Sequence, residues 1–140
     1  MVRAQFETLL GYLHFVDNNT SDKMNRVYKI QAILDMLNAS LLHVYKPRQQ
    51  LCIDESMVPS RGTIVFRQFN KSKKCKYGIK LFKLCSKGGY TNRVKVYVGK
   101  EYDTDGSAAQ SVVLELMNNY LDQGRDLSTD SWYFSIAGGM

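Results

Sequence analysis

At 140 residues the chain has room for one domain with a real core. Its 44% hydrophobic and 23% charged content excludes a disordered or fibrous polypeptide. No apolar run approaches the roughly 20 residues of a membrane-spanning helix. The net charge of +6 hides a sharp segregation: Arg61 to Lys100 holds twelve Lys/Arg and no Asp/Glu, while the rest holds seven basic and thirteen acidic residues. A segment this one-sided repels itself unless an anion lies nearby, and nucleic acid is the usual partner. A basic face kept for solubility is the alternative.

The first residues, Met1 to Glu7, lack the apolar core and cleavage site of a signal peptide, so an intracellular protein is expected. Phe6, Leu9, Leu10 and Leu13 recur at helical spacing and predict a short amphipathic helix ending near Val16. Asp17 to Asp22 is a dense run of turn and N-cap residues. Val27, Ile30, Leu34, Leu37, Leu41 and Val44 step by three or four and predict a second helix. Pro47 should stop it, because the residue before a proline disfavours helix. His14 and His43 fall on these helices as surface or core-edge residues.

Residues 49–55 read as a strand stopping near Asp54. Arg61-Gly62 supplies a turn, and residues 63–69 are rich in β-formers and predict another strand. Asn70 to Lys76 is a basic loop. Residues 77–85 and 90–98 alternate as strands across a Gly88-Gly89 turn, with Val94, Val96 and Val98 on one face and Arg93, Lys95 and Tyr97 on the other. Cys52, Cys75 and Cys85 show no C-x-x-C spacing, which argues against a disulfide framework or a zinc site; Cys52 and Cys85 should pack as small apolar residues.

Asp103 to Gly106 is a loop, and Ser107 with Gln110 fits a capping box. Val112, Val113, Leu116, Met117, Tyr120 and Leu121 form the apolar face of a third helix, which Gly124 should end in a left-handed conformation. A last strand runs from about Asp126 to Asp130. A helix between two strands implies a right-handed crossover and a parallel pair. The expected fold class is mixed α/β (α+β). Two helices precede a mixed sheet of antiparallel hairpins plus one parallel strand, the order of the first half of a ribonuclease-H-like fold.

Asp54 and Asp130 are the candidate chemical residues. Carboxylates ending neighbouring strands make a ligand set for hard, oxygen-seeking cations such as magnesium. Beside a cationic surface, such a pair suggests chemistry on a phosphate backbone. Strand-end acids that cap turns are the plainer reading. Glu55 follows Asp54 directly and should point to the opposite face. Arg61, Arg67, Lys71, Lys73, Lys74, Lys76 and Lys80 are candidate phosphate contacts, which position DNA without reading sequence. Trp132 and Tyr133 could stack on an extruded base or pack in the core.

Several phrases recur as an ordered set: Leu13-His14-Phe15-Val16-Asp17 before Asn18-Asn19-Thr20, Ile53-Asp54-Glu55-Ser56 before Arg61-Gly62, Lys76-Tyr77-Gly78-Ile79-Lys80, and Leu121-Asp122-Gln123-Gly124-Arg125 leading to Asp130-Ser131-Trp132-Tyr133. Together they resemble the piggyBac transposase family, including its domesticated derivatives, over nearly the whole chain. The resemblance implies residues 1–47 as part of a DNA-binding and dimerisation region, and residues 48–140 as a truncated ribonuclease-H-like catalytic core. It also implies Asp54 and Asp130 as the first two of three catalytic aspartates that bind Mg2+ (or Mn2+). One metal would activate a water or a 3′ hydroxyl, and the other would stabilise the leaving oxygen.

The activity implied is excision of DNA between terminal inverted repeats through hairpin intermediates and reinsertion at TTAA, in the nucleus. DNA would be the partner, with a homodimer in the full-length form and no membrane. The third aspartate and the cysteine-rich zinc domain lie outside the matched stretch. Ser131 stands where the family has asparagine and Phe134 where threonine is common, and the usual proline is missing between Asn70 and Cys75. The expectation is a catalytically incomplete piece of a cut-and-paste transposase. The alternative is a domesticated, non-enzymatic DNA-binding or protein-interaction module.

Overall fold

The computed structural model describes residues 1–19, 22–74, 76–99 and 108–134. The elements in order are α1 (Arg3–Gly11), α2 (Tyr28–Val44), β1 (Gln50–Pro59), β2 (Gln68–Phe69), β3 (Tyr77–Ser86), β4 (Thr91–Val96), α3 (Ala108–Met117), β5 (Asp126–Thr129) and α4 (Ser131–Phe134). β3 is the organising strand. It pairs antiparallel with β1 along one side, and with β4 and the short β2 along the other. β5 lies parallel to β1, in the register Gln50–Asp126 through Ile53–Thr129. The parallel pair and the mixed sheet agree with the expected architecture.

Leu51 and Ile53 of β1 and Phe82 and Leu84 of β3 point to one face of the sheet. There α3 covers them with Ala109, Val112, Leu116 and Met117, and Tyr120 and Tyr133 complete the core. Burying these apolar faces against one another is what fixes the α3 crossover in place. The opposite face is covered at β4 by α2. The alternation expected for β4 holds. Lys95, on the α3 side, pairs with Glu115, and Val96, on the α2 side, is buried.

α2 also grips the backbone of the β4 edge. The Asn38 side-chain amide donates to Val94 O at 3.0 Å, and its oxygen accepts from Val94 N–H at 2.8 Å. Arg26 donates to Val98 O at 2.6 Å, and the Tyr90 hydroxyl donates to Leu41 O at 3.1 Å. A side-chain amide offers one donor and one acceptor in the spacing of a neighbouring peptide, so Asn38 stands where another strand would pair.

Several expectations are corrected. α1 ends at Gly11 rather than near Val16, which leaves His14 in a loop, and none of its residues is buried. Residues 63–69 contribute only Gln68 and Phe69 to the sheet. Thr63 to Arg67 form a turn, with Ile64 N–H donating to Gly62 O and Arg67 N–H to Ile64 O. α3 ends at Met117, and turns carry the chain through Asp122 (φ 58°) and Gly124 (φ 64°). Gly124 does adopt the left-handed conformation, but past the end of the helix. Cys52 is exposed and Cys85 half-buried, so neither is a core residue. Lys100, the 103–106 loop, the Ser107 cap and Cys75 lie outside the described residues.

The Gly88-Gly89 turn forms as expected, with φ of 98° and 88°. Gly78 has a different reason to be glycine. It faces Pro59 across the β1–β3 pair, and a Cβ there would lie 2.3 Å from Val58 O. The close approach of two backbones explains why the Lys-Tyr-Gly-Ile-Lys phrase needs a residue without a side chain at its centre.

Candidate nucleic-acid and metal site

β1 does not stop at Asp54. Pairing with β3 carries it on to Pro59, and Asp54 lies mid-strand, where the parallel pairing with β5 gives out. The last parallel partners are Ile53 and Thr129, and Asp54 and Asp130 are the residues that directly follow them in sequence. By alternation Asp54 lies on the face away from α3, and both acids are exposed. Asp54 Oδ1 accepts from Glu55 N–H at 2.8 Å, and Asp130 Oδ1 accepts from Ser131 N–H at 2.6 Å and from the Ser131 hydroxyl at 3.2 Å. These local bonds hold each carboxylate by one oxygen. The same capping turns the chain after Asp130 into α4, where Tyr133 N–H donates to Asp130 O.

Tyr133 reports the convergence from beneath. Burial pushes its phenol well above the ordinary tyrosine range, and the negative charges of Glu55, Asp54 and Asp130 push it further. Tyr133 is packed in the core, edge-on to Phe82 at 6.2 Å, which assigns it the packing role. The Trp132 side chain lies outside the described residues. Glu55 points to the α3 side, as expected from alternation, and forms an ion pair with Lys80 at 2.5 Å.

Two carboxylates side by side on one face suit a hard divalent cation, which takes oxygen ligands. Among the described residues no group of three His, Cys, Asp or Glu side chains could hold a metal. The pair therefore fits part of such a site. Lys83 was not foreseen from the sequence. It is the register partner of Asp54 on β3, an opposite charge directly across the strand pair. Only the β1–β3 register reveals it, and no turn between those strands fixes that register in the sequence.

The basic residues divide into two groups. Lys71, Lys73, Lys74 and Lys76 are exposed on a turn closed by Asn70 N–H donating to Lys76 O at 2.8 Å. The Asn70 side chain accepts from Ser72 N–H at 3.1 Å and from its hydroxyl at 2.7 Å, an Asx turn that shapes the loop. Arg61 is exposed as well. Arg67 and Lys80 are engaged by neighbouring groups, Arg67 at the surface and Lys80 half-buried. Arg67 donates to the carbonyls of Arg61 and Gly62 and stands 5.2 Å from the centre of the Tyr77 ring. Lys80 pairs with Glu55 and lies over Phe82 and Tyr97. The basic turn projects beyond Pro59, five residues past Asp54, or about 17 Å along the strand.

A mixed sheet with a parallel β1–β5 pair, a covering crossover helix and acids on neighbouring strands defines a ribonuclease-H-like core of the DDE transposase type. The family model described as Transposase IS4 matches residues 1–138, and the chain belongs to that family, in its piggyBac branch. It is 28% identical over 110 residues to PiggyBac transposable element-derived protein 5 of Homo sapiens, covering 76% of this chain and 21% of that protein. It is 29% identical over 104 residues to PiggyBac transposable element-derived protein 3 of Homo sapiens, covering 74% and 18%.

The cryo-EM structure of a piggyBac transposase synaptic complex with hairpin DNA shares the fold, with a TM-score of 0.78 and 24% identity over 92% of this chain and 33% of that one. The chain thus spans about a fifth of the length of these curated relatives and a third of the solved transposase. The family implies divalent-metal use, and the structural neighbour is a DNA complex.

Proposed function

We propose that this stretch supplies the opening part of a metal-dependent DNA strand-transfer core, with Asp54 and Asp130 as two of its cation ligands. The observation that supports this reading is the parallel register, whose last partners, Ile53 and Thr129, each directly precede one of the two acids. Divalent cations there would polarise phosphate oxygens and activate the attacking hydroxyl. The chain's own part is to present two oriented carboxylates, to fix Asp130 by the Ser131 cap, and to set Lys83 across from Asp54. With two ligands alone, the stretch binds metal weakly and does not cleave DNA. The partner is DNA, held through its phosphates by Arg61, Lys71, Lys73, Lys74 and Lys76. A nuclear location and a homodimer in a longer polypeptide follow from the same reading.

Manganese binding, followed by electron paramagnetic resonance, tests the acid pair. Asp54→Asn and Asp130→Asn should each weaken binding; equal binding by wild type and both variants would remove the proposal. Affinity for a labelled duplex tests the basic turn. Five exposed cations on phosphate predict a slope of log affinity against log salt of about −4 to −5. A flat response removes that contact. Magnesium-dependent nicking of a hairpin substrate by this chain would overturn the expected lack of cleavage.

A further inference from the structure

Beside the basic turn, the β2–β3 ladder carries an exposed aromatic pair. Phe69 and Tyr77 are direct cross-strand partners, with ring centroids 4.8 Å apart. They are 58% and 52% exposed, values high enough that the rings face solvent rather than the interior. The Arg67 guanidinium stands 5.2 Å from the Tyr77 ring centre and extends the stack. By alternation along β3, Tyr77 lies on the same face as Lys83, and so on the face of Asp54. Six residues separate Tyr77 from Lys83, about 20 Å along the strand.

We infer that Phe69, Tyr77 and Arg67 form a stacking platform for unpaired bases of a nucleic-acid strand whose phosphates lie along Lys71, Lys73, Lys74 and Lys76. Flat rings beside a cationic track are the two components of single-strand binding, because every base has a π face and every nucleotide a phosphate. Arginine adds a cation–π surface of the same kind. Forty residues without an acid, Arg61 to Lys100, favour a nucleic acid over an apolar protein segment as the occupant. The inference rests on the phosphate-contact reading above and adds a preference that lysines alone cannot produce, for unstacked strand over duplex.

The test compares a labelled oligothymidylate with a duplex of equal length, using the full chain and fluorescence anisotropy. The single strand should bind roughly tenfold tighter. Phe69→Leu keeps apolar bulk in the ladder and removes the ring, so it should abolish the preference while leaving duplex affinity unchanged. Phe69→Trp should retain the preference, and bound bases should quench the emission of the introduced indole. Circular dichroism of each variant checks that the sheet is intact. Equal affinity for both forms, no single-strand binding, or an unaltered preference in Phe69→Leu overturns the platform. The two readings separate cleanly. A salt-dependent duplex affinity without single-strand preference defeats the platform alone. A single-strand preference that ignores salt defeats the phosphate contacts alone.

Discussion

The two edges of the sheet are finished in different ways. At the β4 edge, α2 and the residues flanking it supply partners: Asn38 takes both backbone groups of Val94, Arg26 takes Val98 O, and the Tyr45 and Tyr90 rings meet at 4.7 Å. At the β5 edge, the strand pairs with β1 on one side and with no other strand among the described residues. An uncovered edge offers its amides to water or to another chain, while a capped one cannot extend the sheet. The lesson concerns the order of the chain. The closed edge is closed by residues that precede every strand among the described residues, and the open edge belongs to β5, the last of these strands in sequence. The acid pair sits at the open side, where the sheet can still accept a neighbour.

The comparison can be broken most strongly from the middle. Gly78→Ala puts a Cβ 2.3 Å from Val58 O and must separate β1 from β3. Urea unfolding should show a loss of about 3 kcal/mol, the upper range for overpacking, and both edges should loosen together. Next comes the closed edge alone. Asn38→Ala strands the Val94 donor and acceptor, and a loss of about 2 kcal/mol is expected. Hydrogen exchange should then speed at Val94 while β5 stays as in the wild type. Equal protection of Val94 before and after would show that water serves as well as Asn38.

The open edge has its own anchor. Arg125 donates to Pro47 O and, at 2.6 Å, to Arg48 O, and its guanidinium stands 5.2 Å from the Tyr120 ring centre. Arg125→Met should cost about 1 kcal/mol, since these bonds are partly solvated, and β5 should exchange faster than any other strand. Even in the wild type, β5 is expected to be the least protected of the four longer strands.

The smallest effect is a pH effect on the same side. The folded state raises the Tyr133 and Tyr120 phenols above the ordinary value of 10.0, burial being the first cause for both. A raised acid contributes its stability fully below the unfolded pKa and loses it as pH climbs above that value. Stability should therefore be flat at neutral pH and decline above about pH 10. Tyr133→Phe should lessen that decline, and an identical alkaline profile in the variant would contradict the assignment.

Much of the fold could be read directly. The three- and four-residue stepping marked α2 and α3, Gly88-Gly89 marked the β3–β4 hairpin, and the helix between strands implied the parallel pair. Where the reading failed, a partner decided the outcome. Thr63 to Arg67 are good β-formers, but only Gln68 and Phe69 find a ladder on β3, and a strand without pairing does not form. Asp54 was expected to end a strand because the local apolar run ended there. The strand continues because β3 supplies pairing as far as Gly78.

Of the candidate contacts, the exposed lysines of the 70–76 turn were legible as a cluster. The engagement of Arg67 by Tyr77 and of Lys80 by Glu55 and Phe82 was not, because it depends on partners on other strands. The contacts of Asn38 were not legible either, and Arg125 stood out only as the end of a family phrase, without its partners. Their partners lie 56 and up to 78 positions away, and no local pattern announces such bonds.

The Arg125 clasp has a consequence for synthesis. It joins the approach to β1 with the approach to β5, and Asp126 N–H donates to Gln49 O at 2.9 Å beside it. A nascent polypeptide leaving the ribosome therefore carries Asp54 without its companion until the last strand has emerged. Proteolytic nicking between the two approaches, followed by separation of the pieces, would leave each piece with a single acid. The two acids are thus brought together only after β5 has followed β1 out of the ribosome, and their pairing marks the moment at which these two strands have met.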